Sequence, residues 1–209
     1  MSKIIDISLQ IKEGMIIYPG NTKPCLNPLK RVPKDSSSLT EILLGSHTGT
    51  HVDTGLHVDE KSSGLEKVSL DNFVGICQVL DFTYCTKDIT ATDLKKKVIS
   101  QKIILLKTRN SLEGYANFNP AFIHLSEDGA KYIADIGLVK TIGIDYLSVQ
   151  KFRKGDQKTH QILLGNSINV IEGLDLSEAM EKRYFFVFLP LKINNLDGVP
   201  GRAILIDNY

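Results

Sequence analysis

Residues 126–144, SEDGAKYIADIGLVKTIGI, decide the fold class of this chain. Ser126 is a typical helix cap, and small and branched apolar side chains follow it at helical spacing. Gly137 can adopt the left-handed conformation that ends a helix, and the apolar residues 138–144 that follow at once are typical of a buried strand. The stretch therefore predicts a helix joined directly to a strand.

A second unit of the same kind lies earlier in the chain. Thr90 and Asp93 form a capping pair that opens a predicted helix through Val98, and residues 102–108 are typical of a buried strand. We therefore expect an α/β fold, a sheet-rich single domain spanning residues 1–209 with a layered β/β/α architecture of the swivelling-domain type. Runs rich in β-branched and aromatic residues predict further strands at 3–9, 39–44, 73–82, 168–172, 184–191 and 202–207, and polar, proline-rich stretches predict surface loops at 21–38 and 59–64.

The composition limits the classes of partner. The 25 Lys and Arg residues balance 24 Asp and Glu residues, so the chain lacks the charge that attracts nucleic acid or an anionic membrane. We expect a small-molecule substrate, with no nucleic acid and no membrane partner. The three cysteines form no C-x-x-C pair and the N-terminal segment has no sustained apolar run, which favours a cytoplasmic location.

Three of the five histidines fall in one segment, His47-Thr-Gly-Thr-His51-Val-Asp53-Thr-Gly-Leu-His57. Its glycines and threonines argue against a helix, so we expect an extended chain at least through Asp53. In an extended chain alternate side chains share a face, and Gly49 would then leave room for an ion beside two imidazoles and a carboxylate. Solvated residues on a surface strand are the competing interpretation. Nitrogen and oxygen ligands without thiolate suit Zn²⁺ or Mn²⁺.

The same segment resembles the HxGTHxDxPxH signature of the cyclase-like metal-dependent hydrolases, a family that includes bacterial kynurenine formamidase and isatin hydrolase. The signature's proline is Gly55 here, which we expect to loosen the turn that positions His57. The resemblance covers nearly the whole chain, because further blocks of the family follow in its order: Asp6-Ile-Ser-Leu, Tyr18-Pro-Gly, Leu105-Leu-Lys-Thr, Gly143-Ile-Asp-Tyr-Leu-Ser, His160-Gln-Ile-Leu-Leu-Gly, Ile171-Glu-Gly-Leu and Leu189-Pro-Leu-Lys.

The resemblance implies two adjacent metal ions per subunit, Zn²⁺ or Mn²⁺. It implies that His47, His51 and Asp53 hold the first ion. Asp53 would bridge to the second ion, which His160 and Glu172 would complete. The resemblance also implies a homodimer or a homotetramer.

The sequence leaves the structure around His160 and Glu172 open. If residues 161–164 and 168–171 are strands joined by a Gly165-Asn166-Ser167 loop, a hairpin places His160 opposite Glu172. A helix that ends at Gly165 and is followed by a strand is equally compatible with these residues.

Two further residues take roles from the resemblance. His57 matches the family's proton-transfer group, and the near-neutral pKa of imidazole suits that task, although a third ligand or a turn residue are alternatives. Tyr18, at the family's aromatic-Pro-Gly position, would stack on an aromatic substrate ring or simply anchor a turn. His124 matches no family position, and we expect it to be structural or solvated.

We therefore expect a metal-dependent amidohydrolase of the arylformamidase type. It would cleave a small amide, such as the N-formyl aryl amide of N-formylkynurenine, by metal-activated water. The alternatives are hydrolysis of a different cyclic amide or lactone, as with isatin, and a metal-binding module without catalysis. A free imidazole at His57 argues against the binding module, which has no use for one.

Overall fold

The computed structural model describes residues 2–152, 155 and 157–207. Within these residues, no helix combines the length and the apolar content needed to cross a membrane. The helices are α1 (Ala91–Leu94), α2 (Asn110–Glu113), α3 (Glu127–Ile136) and α4 (Lys158–Gly165), with short 3-10 turns at Gly55–His57, Leu65–Lys67 and Leu70–Asn72. The strands are β1 (Lys3–Asp6), β2 (Cys25–Lys30), β3 (Leu39–Leu43), β4 (His51–Asp53), β5 (Val74–Asp81), β6 (Asp88–Ile89), β7 (Ile103–Lys107), β8 (His124–Leu125), β9 (Thr141–Ile144), β10 (Asn169–Glu172), β11 (Arg183–Pro190) and β12 (Gly198–Asp207).

The main sheet closes on itself. Its order is β1-β12-β11-β5-β7-β9-β10-β4, and β4 pairs again with the first residues of β12. The strands β5, β7, β9 and β10 are parallel, and the other pairings in this sheet are antiparallel. Seven strands thus form a barrel-like ring, with β1 added beside the far end of β12. The expected sheet-rich α/β class is confirmed.

Two cores occupy the two faces of this sheet. The inner core fills the ring with side chains from opposite walls, such as Val52, Leu105 and Phe186. The outer core lies between the parallel strands and the helices, where Ile133 of α3 and Leu163 of α4 pack against the sheet. Two walls of sheet and one layer of helices give the β/β/α layering that the sequence predicted.

Helix α3 matches its prediction, whereas α1 is shorter than expected. Ser126 caps α3 through the amide of Gly129, and Gly137 ends the helix in the left-handed conformation. The capping pair of α1 is also present, but the helix ends at Leu94 rather than at Val98. Beyond it the amides of Lys96 and Lys97 donate to the carbonyls of Asp93 and Leu94, three residues back, so the chain tightens into 3-10-type turns instead of continuing the α-helix.

The prediction of a surface loop over 21–38 is wrong in part, because β2 forms there and pairs with β3. Prolines led to the loop prediction, since proline cannot donate to a sheet. Here the sheet has only these two strands, so each has a free edge, and Pro28 lies beside a bulge at the pairing with β3. Both strands are exposed along their whole length.

A substitution at Gly143 of β9 tests the packing of the ring interior. A methyl group there would lie 2.6 Å from both Leu105 Cδ2 and Leu174 Cδ1, which is closer than packed carbons allow. We expect Gly143→Ala to lower the free energy of unfolding by roughly 1–3 kcal/mol in urea titrations, the usual cost of overpacking. Gly165→Ala is the matched control, because nothing lies within 4 Å of that position and alanine favours a helix. Equal stability of the two variants would contradict the interior placement of Gly143.

Candidate metal centre

The short strand β4 carries the centre of the site. Val52 points into the inner core, so His51 and Asp53 point to the outer face of the sheet. On one side β10 places Glu172 directly opposite His51, and on the other β12 places Gly198 opposite Asp53. Opposed residues of paired strands share a face, so His51, Asp53 and Glu172 are brought together by register alone.

His160 reaches this face from α4. Of the two structures that the sequence allowed here, the helix followed by a strand is the one observed. Helix α4 packs on the outer core and buries the imidazole, whose Nε2 lies 3.0 Å from Glu172 Oε1 and 3.4 Å from Asp53 Oδ2. The amide of Val149 donates to the same Glu172 oxygen at 2.6 Å and fixes the carboxylate.

His47 also reaches the site, but not along an extended chain. Residues 46–50 form a turn in which Gly49 has a φ of +63°, so the prediction of an extended segment from His47 is wrong. The assumed role of Gly49 is wrong as well, because a Cβ there would meet Ile11 Cγ1 at 3.2 Å rather than an ion. The turn instead brings the Gly49 carbonyl to 3.0 Å from His51 Nδ1 and leaves His51 Nε2 facing the carboxylates.

Asp53 lies at the centre of three imidazoles. Its Oδ1 is 2.9 Å from His47 Nδ1 and 3.3 Å from His51 Nε2, while Oδ2 faces His160. Burial would raise the pKa of Asp53, but its contacts with His160, His47 and His51 hold that pKa well below its usual value. Burial would also lower the pKa of His47 and His160, yet their carboxylate neighbours raise it to about 9 for His47 and about 10 for His160.

Several of these buried atoms have no well-directed hydrogen bond. Both Asp53 oxygens and His51 Nε2 lack a partner of acceptable geometry although they lie among polar atoms. Buried polar groups are normally satisfied, so atoms that converge without hydrogen bonds fit a missing cation. Potential ligand atoms form two sets, and within each set all atoms lie within 4.8 Å of one another. One set is His47, Asp53 and His57, and the other is His51, Asp53 and Glu172. Both sets contain Asp53, and the donor set suits a divalent metal.

His57 sits beside these groups at the end of the 3-10 turn. Its ring centroid is 4.5 Å from that of His47 and 5.1 Å from that of His160, and the side chain is half-buried. Burial lowers the pKa of His57, although the charge of Asp53 opposes the shift. The imidazole is therefore mainly neutral at pH 7 and able to accept a proton.

A cleft of about 740 Å³ opens over the site. Tyr18 and Phe152 form an aromatic wall, with ring centroids 5.6 Å apart, and Tyr18 packs edge-on against Phe118 as well. Burial, followed by the charge of Glu172, raises the pKa of Tyr18. The polar floor of the cleft includes His47, His57, His160 and Glu172. His124 does not line the cleft; its Nδ1 lies 3.3 Å from the Phe122 carbonyl, as expected for a structural histidine.

One residue of the site was not found from the sequence. Asp197 Oδ2 lies 3.0 Å from His47 Nε2, on the side of the ring opposite Asp53. In the sequence, Asp197 precedes Gly-Val-Pro and is typical of a turn. Only the pairing of β12 with β4 reveals its position, so no local signal could have identified it.

Comparisons with known proteins agree with this geometry. A family model described as "Putative cyclase" matches residues 5–151. A kynurenine formamidase from Salinibacter ruber is 31% identical over 207 residues, covering 98% of this chain and 97% of the relative, and one from Bacillus anthracis is 28% identical over 206 residues with the same coverage. A solved structure of a potential metal-dependent hydrolase with cyclase activity superposes with a TM-score of 0.88 at 32% identity and covers both chains fully.

A more distant structure shares the fold alone. Isatin hydrolase A from Labrenzia aggregata superposes with a TM-score of 0.82 at 15% identity, covering 100% of this chain and 94% of the other. Together these relatives confirm the resemblance seen in the sequence and the expected class of activity, a metal-dependent amide hydrolase. Because the family model matches most of the chain and the Salinibacter ruber relative spans nearly all of it, this chain belongs to the cyclase family.

Proposed function

We propose that this protein hydrolyses a small N-formyl aryl amide, such as N-formylkynurenine, at a centre that holds two divalent metal ions per subunit, Zn²⁺ or Mn²⁺. The observation that carries the proposal is the buried Asp53 carboxylate, whose two oxygens face different imidazoles. The kynurenine formamidases that match nearly the whole chain support the choice of substrate.

The two oxygens of Asp53 support a division of the ligands. On the Oδ1 side, His47 Nδ1 and His51 Nε2 approach within 3.3 Å, and we assign these three residues to the first ion. On the Oδ2 side, His160 Nε2 and Glu172 Oε1 lie 3.0 Å apart, and we assign this pair to the second ion with Asp53 as the bridge. When bound, a divalent metal lowers the pKa of coordinated water from 15.7 toward about 7 and polarises a carbonyl oxygen.

The protein's own residues supply the remaining steps. The proposed ligands His47, His51, Asp53, His160 and Glu172 together form the ligand cluster. His57 is mainly neutral and half-buried at its edge, so it can accept a proton from the attacking water and return it to the leaving nitrogen. The amide C–N bond breaks, and formate and the free aryl amine leave. Tyr18 anchors a turn through its carbonyl, which accepts from the amide of Asn21, and its ring also lines the cleft. We assign the wall formed by Tyr18 and Phe152 to the aromatic part of the substrate.

The substrate proposal is tested by loading the purified protein with Zn²⁺ or Mn²⁺ and following ultraviolet absorbance with N-formylkynurenine and, separately, isatin. We expect turnover of N-formylkynurenine, because relatives that match nearly the whole chain are kynurenine formamidases, whereas the isatin hydrolase shares only the fold. Turnover of isatin alone would reassign the protein to cyclic amides. No turnover of any amide by metal-loaded protein would favour a binding module.

The roles of the histidines are separated by two alanine variants. We expect His51→Ala to lose both bound metal and activity, because it removes an imidazole from the buried ligand cluster. We expect His57→Ala to retain the metal content of the wild type and to lose turnover by about 10²–10⁴-fold, the usual contribution of general acid–base catalysis. Metal content by elemental analysis and kcat are measured together; loss of metal from His57→Ala would make His57 a ligand.

We also propose that the protein is a cytoplasmic homo-oligomer, a dimer or a tetramer, with the β2–β3 hairpin in the interface. The three free cysteines support the location. The hairpin carries six large apolar side chains that are 37–62% exposed: Leu26, Leu29, Val32, Leu39, Ile42 and Leu43. An isolated two-stranded hairpin is marginally stable in water, so this one requires a covering surface.

A second copy of the chain fits this requirement. A stable interface buries about 1,200–2,000 Å² in total, so these side chains would form its apolar part together with contacts outside the hairpin. Leu26 and Ile42 are directly opposed on one face of the hairpin and form the centre of this surface. A two-fold contact repeats that patch on both subunits.

Light scattering after gel filtration tests the interface. We expect the wild type to elute at a multiple of 23.2 kDa and Ile42→Asp to shift toward the monomer, because a charge at the centre of an apolar contact is not solvated. Val98→Asp is the control, since Val98 is 81% exposed outside the hairpin. A monomeric wild type at micromolar concentration would contradict the proposal, and so would an Ile42→Asp variant that stays oligomeric.

A further inference from the structure

His47 is held between two carboxylates. Its Nδ1 lies 2.9 Å from Asp53 Oδ1, inside the ligand cluster, and its Nε2 lies 3.0 Å from Asp197 Oδ2, outside the cluster. An imidazole that binds a metal is neutral and carries one proton, so only one of these nitrogens can then donate. If Nε2 donates to Asp197, the lone pair of Nδ1 is directed toward Asp53 and the ligand cluster.

The backbone around Asp197 is fixed to the strand that carries the ligands. The amide of Thr54, the residue after Asp53, donates to the Asp197 carbonyl at 2.9 Å, and the Thr54 hydroxyl donates to the Leu196 carbonyl at 2.8 Å. The Asp197 side chain is about half exposed, so water could solvate it without a partner. Its approach to His47 is therefore set by the strand pairing and is not forced by burial of the carboxylate.

Gly198 makes room for the same ring. A Cβ at this position would lie 2.7 Å from His47 Cε1 and 2.8 Å from Nδ1, so any side chain would displace the imidazole. Gly198 is also the residue of β12 that pairs with Asp53. The two consecutive residues 197 and 198 thus act on one histidine, the first by a hydrogen bond and the second by leaving space.

We propose that Asp197 is a positioning residue that holds the His47 proton on Nε2 and directs Nδ1 to the metal. Carboxylates commonly fix the tautomer of metal-binding histidines in this way and raise their basicity. This inference rests on the proposed metal ligation by His47. The inference assigns Asp197 no contact with the substrate. Substitution of Asp197 should therefore change the affinity for the metal more directly than it changes kcat.

Competition between the protein and a chelator for Zn²⁺ measures the effect. We expect Asp197→Ala to weaken Zn²⁺ binding by about 10–100-fold, the usual range for loss of such an outer partner. Asp197→Asn keeps a hydrogen-bond acceptor without the charge and should lie between Asp197→Ala and the wild type, and Asp197→Glu should recover part of the affinity. Asp135→Asn changes the net charge by the same amount on the exposed side of α3. This control variant should bind Zn²⁺ as the wild type does.

The tautomer of His47 gives a second readout that a general structural role would not change. In ¹H–¹⁵N spectra of Zn²⁺-loaded protein labelled at histidine, we expect the His47 proton on Nε2, with the signal assigned through His47→Gln. In Asp197→Ala this proton should exchange rapidly with water, because its acceptor is gone. Thermal unfolding of the metal-free variants checks that each folds, and Asp197→Asn serves if Asp197→Ala does not.

The outcomes separate this inference from the proposed function. Wild-type protein that binds neither Zn²⁺ nor Mn²⁺ would overturn both. Wild-type protein that binds Zn²⁺, with unchanged affinity in Asp197→Ala, would overturn the role of Asp197 alone. A His47 proton found on Nδ1 in the loaded wild type would overturn the role of Asp197 and also the assignment of His47 Nδ1 to the first ion, because a protonated nitrogen cannot bind a metal.

Discussion

The structure depends on a buried carboxylate surrounded by imidazoles. Asp53 is nearly inaccessible to water, and moving a charge of this kind out of water costs far more than a single neutral hydrogen bond returns. His47, His51 and His160 approach it from three directions, yet neither of its oxygens has a well-directed hydrogen bond. Glu172 adds a second buried carboxylate at the same place. A fold that concentrates this much negative charge in its interior is suited to a cation, and the neighbouring histidines are the ligands that such a cation prefers.

The strand that closes the ring also assembles the site. Strand β4 has three residues and lies between β10 and β12, so it is the strand that completes the barrel. Because side chains alternate, the residue that seals the inner core, Val52, is flanked by the two that enter the ligand cluster. The partners of β4 bring Glu172 from one side and Gly198 from the other. Packing of the core therefore sets the distances among His51, Asp53 and Glu172, the candidate ligands that the paired strands carry.

Local patterns predicted the parts of the fold that local forces determine. Capping residues and helical spacing predicted α3, and the histidine cluster between residues 47 and 57 indicated the metal site because its members lie close in sequence. The turn at 46–50 was missed because glycine and threonine also occur in strands, and only a positive φ at Gly49 distinguishes the two. The secondary structure of residues 160–172 could not be chosen from the sequence, because a short apolar run fits a helix or a strand equally well.

The pairing of strands that lie far apart in the chain could not be predicted from the sequence. Asp197 lies 150 positions from His47 and meets it only because β12 pairs with β4. The same limit applies to the closed ring, since no local pattern states which strand edges meet. It applies as well to the hairpin of β2 and β3, where the prolines of an isolated ribbon resembled those of a loop.

The departure at Gly55 from the family signature concerns the next loop rather than the ligands. A Cβ at Gly55 would lie 2.8 Å from Ser62 Cβ, so Ser62 occupies the space that a proline ring would need. The turn itself is closed by backbone hydrogen bonds, from the amide of His57 to the Thr54 carbonyl and from the amide of Val58 to the Gly55 carbonyl. His57 is thus held beside the ligand cluster without a proline. Since burial also keeps its imidazole mainly neutral, the chain retains a proton acceptor next to the candidate metal ligands despite the altered signature.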